Sequence, residues 1–118
     1  MKRFLARRIL EGKYTYDVHL YPPKEDLPEW MTEEEKKHWL ELTAKRIDAV
    51  CERKDDIWIL EVTPRINKAA VGGVLTYRDL YIEQFKPGKP VKMAIVTGVH
   101  DPAYDSICHK LGIIVWVV

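Results

Sequence analysis

The sequence predicts an α/β fold, a mixed central sheet flanked by helices, and three observations predict it. Two mid-chain runs, Arg46–Cys51 and Ile57–Thr63, read as strands folded back across a short polar turn. A helical stretch from about Lys68 to Phe85 follows them. Two further apolar runs, Val91–Thr97 and Ile113–Val118, are nearly continuous, as buried parallel strands are, and a short helix separates them. A hairpin requires antiparallel neighbours. Strand–helix–strand units require parallel ones joined by right-handed crossovers. The sheet is therefore mixed.

A chain of 118 residues fits one domain, 1–118, around a single core. Net charge is only +1, so overall charge does not announce a polyanion binder; a nucleic-acid site would have to be a local patch. The two cysteines, Cys51 and Cys108, lack metal-ligand spacing and are expected to be buried, reduced thiols. No apolar run is long enough to span a membrane. The first ten residues carry charge without the unbroken apolar segment of a signal peptide, so the expected compartment is the cytoplasm.

In chain order, residues 1–12 form a basic amphipathic arm. Lys2, Arg3, Arg7 and Arg8 are interleaved with Phe4, Leu5, Ile9 and Leu10, a spacing that suits a short helix. Such an arm either lies on its own domain or docks on a partner, a second copy or an assembly subunit, through residues 2–10. Gly12 ends it. Tyr14–Tyr21 alternates as a first strand, with Asp17 and His19 on one face as a metal pair or as plain edge residues. Pro22, Pro23 and Pro28 mark an extended loop. Thr32 and Glu35 form a capping box opening a helix to about Leu42, whose apolar stripe (Trp39, Leu40, Trp30, Leu42) is thin. Glu34, Glu35 and Glu41 there answer to the helix dipole before they answer to a metal.

In the hairpin, Arg53–Asp56 is a four-residue polar turn, and an even-length turn places Asp48 opposite Glu61 and Arg46 opposite Thr63. Opposed like charges roughly 4.5–5.5 Å apart at Cβ destabilise a sheet. Three arrangements relieve them: one acid takes a proton, a cation such as Lys45, Arg46 or Arg65 neutralises them, or both bind a divalent metal.

Beyond the hairpin, Pro64 is expected to end the strand. Asn67 is placed to cap the long helix. Gly72 and Gly73 each cost that helix about 1 kcal/mol against alanine, which implies a close helix–sheet contact or a groove open to a substrate backbone. Tyr77, Arg78 and Tyr81 are candidates for a phosphate-contacting rim. After the Lys86–Pro90 turn and the Val91–Thr97 strand, Asp101-Pro102 opens the last helix and Gly112 closes it. His100 and His109 flank that helix as surface or capping residues. The apolar end, Ile113–Val118, is expected to be buried in the sheet, because exposed it would invite aggregation.

The order Asp48, hairpin, Glu61-x-Thr63, helix resembles the restriction-endonuclease-like PD-(D/E)xK nuclease superfamily. That superfamily carries Asp on one strand and (Asp/Glu)-x-Lys on the next. Arg46-Ile47-Asp48, Ile59-Leu60-Glu61-Val62 and a helix containing Tyr77 resemble its exonuclease-like branch, which often adds Gln-x-x-x-Tyr. The likeness extends from about Tyr14 onward. It implies a restriction-endonuclease-like core and a metal-dependent phosphodiesterase acting on DNA. Asp48, Glu61 and the Val62 carbonyl would hold Mg²⁺ or Mn²⁺, which polarises the phosphate and activates water. Thr63 stands where the family has Lys, and Gly73 where it has Gln. Thr63 would then position water, with Arg65, Lys68 or Arg46 as substitute cations, and Arg46, Tyr77 and Arg78 would contact nucleic acid. The same departures suit a second reading: an inactive member of the fold kept as a nucleic-acid-binding or assembly subunit, in a phage-like particle or a repair complex. A third is a purely structural α/β domain.

Overall fold

β-Branched and aromatic runs, each bounded by turn residues, fold into five strands. The structure, a computed structural model, describes residues 1–21, 27–43 and 45–118, the side chains of residues 41–43 excepted. In chain order the elements are α1 (Lys2–Ala6), β1 (Lys13–Leu20), α2 (Glu33–Thr43), β2 (Lys45–Glu52), β3 (Ile57–Arg65), α3 (Lys68–Phe85), β4 (Val91–Val99), α4 (Asp105–Leu111) and β5 (Ile113–Val117). A 3₁₀ turn, Pro102–Tyr104, leads into α4. The strands lie side by side in sequence order. β1–β2 and β2–β3 are antiparallel, whereas β3–β4 and β4–β5 are parallel. The expected mixed sheet flanked by helices is what forms. The Pro22–Pro23 loop and the contributions foreseen for Glu41 and Leu42 lie outside the described residues.

The sheet buries both faces, but unequally. On one side α3 presses Ala70, Val71 and Val74 onto Ile57 and Ile59 of β3 and Met93 and Ile95 of β4. The other side gathers Ala49, Cys51, Trp58, Leu60, Ala94 and Val96. There the basic arm is no free arm. Five residues of helix cannot hold their own shape in water, and α1 is pinned instead by Phe4, which is fully buried. The Phe4 ring centroid lies 5.2 Å from that of Trp116, itself 5.2 Å from that of Trp58. Leu10 is buried in the same cluster. Half of the apolar stripe of residues 2–10 is thus spent within the chain, Phe4 and Leu10, while Leu5 and Ile9 stay exposed.

The caps follow the sequence. Asn67 Oδ1 accepts from the Ala70 N–H at 2.8 Å, and Asp101 Oδ1 from that of Ala103 at 3.1 Å. Thr32 Oγ1 accepts from the Glu35 N–H and donates to the Glu35 carboxylate, both at 3.1 Å. Gly112 closes α4 at φ 73°. Both cysteines are free and buried. Among the described residues no helix is long and apolar enough to cross a membrane.

Three expectations fail, each for a physical reason. β3 does not stop before Pro64 but runs on to Arg65, which pairs with Val99. Proline costs nothing on the β2 side because that ladder has already ended at Leu60. The glycine pair on α3 is not needed for close packing either. A Cβ on Gly72 would meet nothing within 4 Å, and one on Gly73 only the Tyr77 ring, 3.7 Å away. Finally, β5 is an edge strand: Ile113 is buried, but Ile114 and Val117 are 44% and 40% exposed.

Candidate metal centre

The site is built by the β2–β3 hairpin. Its four-residue turn closes with the Arg53 N–H donating to the Asp56 carbonyl at 2.9 Å. The ladder then has the expected register, from Glu52 opposite Ile57 to Ala49 opposite Leu60. It stops one pair short of the acids. In place of the next ladder bond, Asp48 Oδ2 accepts from the Val62 N–H at 2.8 Å. The β1–β2 ladder breaks at the same level: its pairs run to Tyr16–Ala49 and resume at Val18–Ile47, skipping Asp17 and Asp48. Asp17 has φ 49°, in the left-handed region that Asp tolerates better than most residues. Alternation is lost with it, since Ile47 and Val50, three apart, both join the core under α3. Asp48 therefore sits at a break in both of its ladders, free to aim its carboxylate at the next strand. The foreseen facing of Arg46 and Thr63 lies beyond the ladder, and Arg46 pairs with His19 of β1 instead.

Glu61 follows Ile57 and Ile59 with period two and so faces α3. Its Oε2 is buried and has no hydrogen-bond partner among the described residues. Burial, and after it the neighbouring Asp48 charge, push its carboxyl from 4.5 up to about 7. On α3 the Tyr77 hydroxyl is also pushed up, first by its own burial, then by Glu61 and by Asp48. Glu61 and Asp48 thus both contribute to the field at the Tyr77 hydroxyl. None of the ion pairs formed among the described residues involves Asp48 or Glu61. Neutralisation by Lys45, Arg46 or Arg65 is not how the pair is relieved.

The remaining candidates divide. Thr63, half-buried beside the acids in sequence, donates its hydroxyl to the Arg65 carbonyl at 2.9 Å. Arg65 turns to Asp101, Nε to Oδ2 3.9 Å. Lys68 is the exposed first residue of α3. Arg78 turns to the start of β4, level with Ile57 rather than Glu61, its Nε donating to the Val91 carbonyl at 2.8 Å. The Val62 N–H ties Asp48 to β3, and the charges of Asp48 and Glu61 are both felt at Tyr77, whereas Arg65 and Arg78 are engaged elsewhere. No family model, curated protein or solved structure matches this chain.

Two contributions escaped sequence reasoning. Asp17 shapes the site through its backbone, where its side chain had been considered as a metal partner of His19; an Asp within an alternating strand is the only hint of the left-handed turn. Gln84 of α3 fastens the end of β1, its Oε1 accepting from the Tyr21 N–H at 3.0 Å and its Nε2 donating to the His19 carbonyl at 3.2 Å.

The donor set suits a hard divalent cation. Two carboxylates and a backbone carbonyl are oxygen ligands of the kind Mg²⁺ and Mn²⁺ take, with water completing the shell. Among the described residues no group of three or more His, Cys, Asp or Glu is placed to hold a metal ion, so the candidate protein ligands are two carboxylates and a carbonyl.

Proposed function

We propose that this domain is a PD-(D/E)xK-like nuclease domain with a restriction-endonuclease-like core, hydrolysing phosphodiesters of DNA with Mg²⁺ or Mn²⁺. The reading rests on one observation above the others. Among the described residues no cation pairs with Asp48 or Glu61, the Asp48 charge is felt at Glu61, and a buried Glu61 oxygen has no hydrogen-bond partner. A half-buried acid left in that condition is costly unless something outside the chain completes it. Asp48, Glu61 and the Val62 carbonyl would be the ligands. When bound, the metal supplies Lewis-acid polarisation of the phosphate and a water of lowered pKa. The Val62 N–H fixes the Asp48 carboxylate, so that ligand is oriented before any metal arrives. Tyr77 on α3, whose hydroxyl feels both acids, would donate a hydrogen bond to a phosphate oxygen.

The second reading, an inactive member of the same fold that binds nucleic acid, is favoured by Thr63. Its hydroxyl is committed to the Arg65 carbonyl, and it brings no charge where the family has Lys. Two measurements separate the readings. Mn²⁺ is expected to raise the melting temperature of the wild type but not of Asp48→Asn or Glu61→Gln, since a ligand of the native state stabilises it. An equal shift in all three disproves the metal site and both readings built on it. Cleavage of single- and double-stranded DNA with Mn²⁺ then decides activity. A strong gain on Thr63→Lys identifies the natural chain as the inactive form.

A further inference from the structure

The acid pair leaves one charged feature of the molecule unused. Lys2, Arg3, Arg7 and Arg8 precede the first acidic residue, Glu11. Lys2 and Arg3 form no ion pair among the described residues, whereas Arg53, Arg65, Arg78, Lys89 and Lys92 all do. Nor are they loose. Phe4, the next residue, is fully buried against Trp116, and this fixes where its two predecessors stand. They stand beside the carboxyl ends of β3 and β4, where an open groove of about 430 Å³ runs between Lys2 and Arg3 on one side and Val62, Thr63, Pro64 and Gly98 on the other. Crevices at the carboxyl ends of parallel strands are where open α/β sheets commonly take ligands. Val62 joins this groove to the acids: it lines the groove, and its N–H holds Asp48.

We propose that this groove, on the face of the sheet opposite α3, is a phosphate-backbone site for nucleic acid, with Lys2 and Arg3 contacting phosphates of a strand that passes over the carboxyl ends of β3 and β4. The proposal rests on the nuclease-like reading above and extends it to the residues that hold the strand. Two free cations anchored over an otherwise mostly neutral rim match a polyanion that carries a charge at every nucleotide. They also place positive charge next to Thr63, where the superfamily's own lysine is missing. The acids on the far side of Val62 would repel the same strand without metal, so the cations of α1 carry binding when no metal is present.

The test is fluorescence anisotropy of the full chain with a labelled DNA duplex and its single strand, in EDTA, across a salt series. Lys2→Gln/Arg3→Gln and Lys2→Glu/Arg3→Glu are compared with a control of equal charge change on exposed positions elsewhere, Lys37→Glu/Lys110→Glu. The expected result is at least a tenfold loss of affinity for the Glu pair, a smaller loss for the Gln pair and little for the control. The slope of log Kd against log salt should fall by about two for the Gln pair, nearly one per lost phosphate contact. Unchanged binding by both pairs, an equal loss in the control, or no DNA binding by the wild type each overturns the proposal. Loss of binding to phosphatidylserine vesicles with DNA binding retained also overturns it, by assigning the cations to a membrane surface. Because the assay contains no metal, its failure leaves the Mn²⁺ result at Asp48 and Glu61 standing on its own.

Discussion

The two ends of the β2–β3 hairpin both carry a carboxylate out of bulk water, and they treat it in opposite ways. At the turn, Asp56 is only 7% exposed, and everything around it answers its charge. Trp58 Nε1 donates to it at 3.1 Å, Arg53 Nε lies 3.4 Å away and Lys92 Nζ 3.3 Å. Lys92 also sits over the Trp58 ring, 5.5 Å from its centroid. At the open end Glu61 is less buried, yet among the described residues its buried oxygen receives no donor, no cation pairs with it, and it feels the charge of another acid. The same short segment can evidently be built to satisfy a buried acid. That it does so at one end and not at the other is the contrast on which the proposed metal site rests.

The comparison breaks most visibly at Asp56. Asp56→Ala removes the acceptor of a buried indole N–H and leaves two cations without their partner. It is expected to cost about 2–3 kcal/mol, the range for a buried hydrogen bond to a charged group, read from urea unfolding. A loss under about 0.5 kcal/mol would mean that the well-served acid is no more structural than the neglected one.

The opposite sign is expected at Glu61. Its folded pKa is raised above the unfolded value, so its contribution to stability is full below about pH 4.5 and is lost as pH climbs through about 7. Without metal, Glu61→Gln should therefore melt close to the wild type at pH 4.5 and above it at pH 8, by about 4 °C for a gain near 1 kcal/mol. A variant that melts lower at pH 8 than at pH 4.5 relative to the wild type reverses the sign and removes the case for an uncompensated acid.

These contrasts show what in the sequence was legible. Element order, the register of the hairpin and the helix caps all follow from short-range patterns: period-two alternation, a four-residue polar turn, Asn67 and Gly112. What was not legible depends on the relation between strands. The break at Asp48 arises because Asp17, thirty residues earlier by chain but opposite in the sheet, turns left-handed. β3 continues through Pro64 because its β2 neighbour has already departed. Gly72 faces open space and a Cβ on Gly73 would make only ordinary contact with Tyr77, so packing gives no reason for them, whereas Gly12, which read only as a helix breaker, is where the chain passes closest: a Cβ there would lie 2.7 Å from the Glu52 carbonyl oxygen. The hairpin register up to Ala49–Leu60 could be read; that the ladder would end before Asp48 and Glu61 could not.

The smallest effect expected is also the one that resolves how the pair is coupled. Asp48→Asn keeps an acceptor for the Val62 N–H, so the break in the ladder should persist and stability should change by less than about 1 kcal/mol. What changes is the field on Glu61. Burial is the larger cause of its raised pKa and the Asp48 charge the lesser, so removing that charge should lower the midpoint only part of the way from about 7 toward 4.5. Titration of the Glu61 side-chain carboxyl by ¹³C NMR in wild type and Asp48→Asn measures this directly. An unchanged midpoint would mean the two carboxylates do not sense one another, and acids that do not sense one another are too far apart to share an ion.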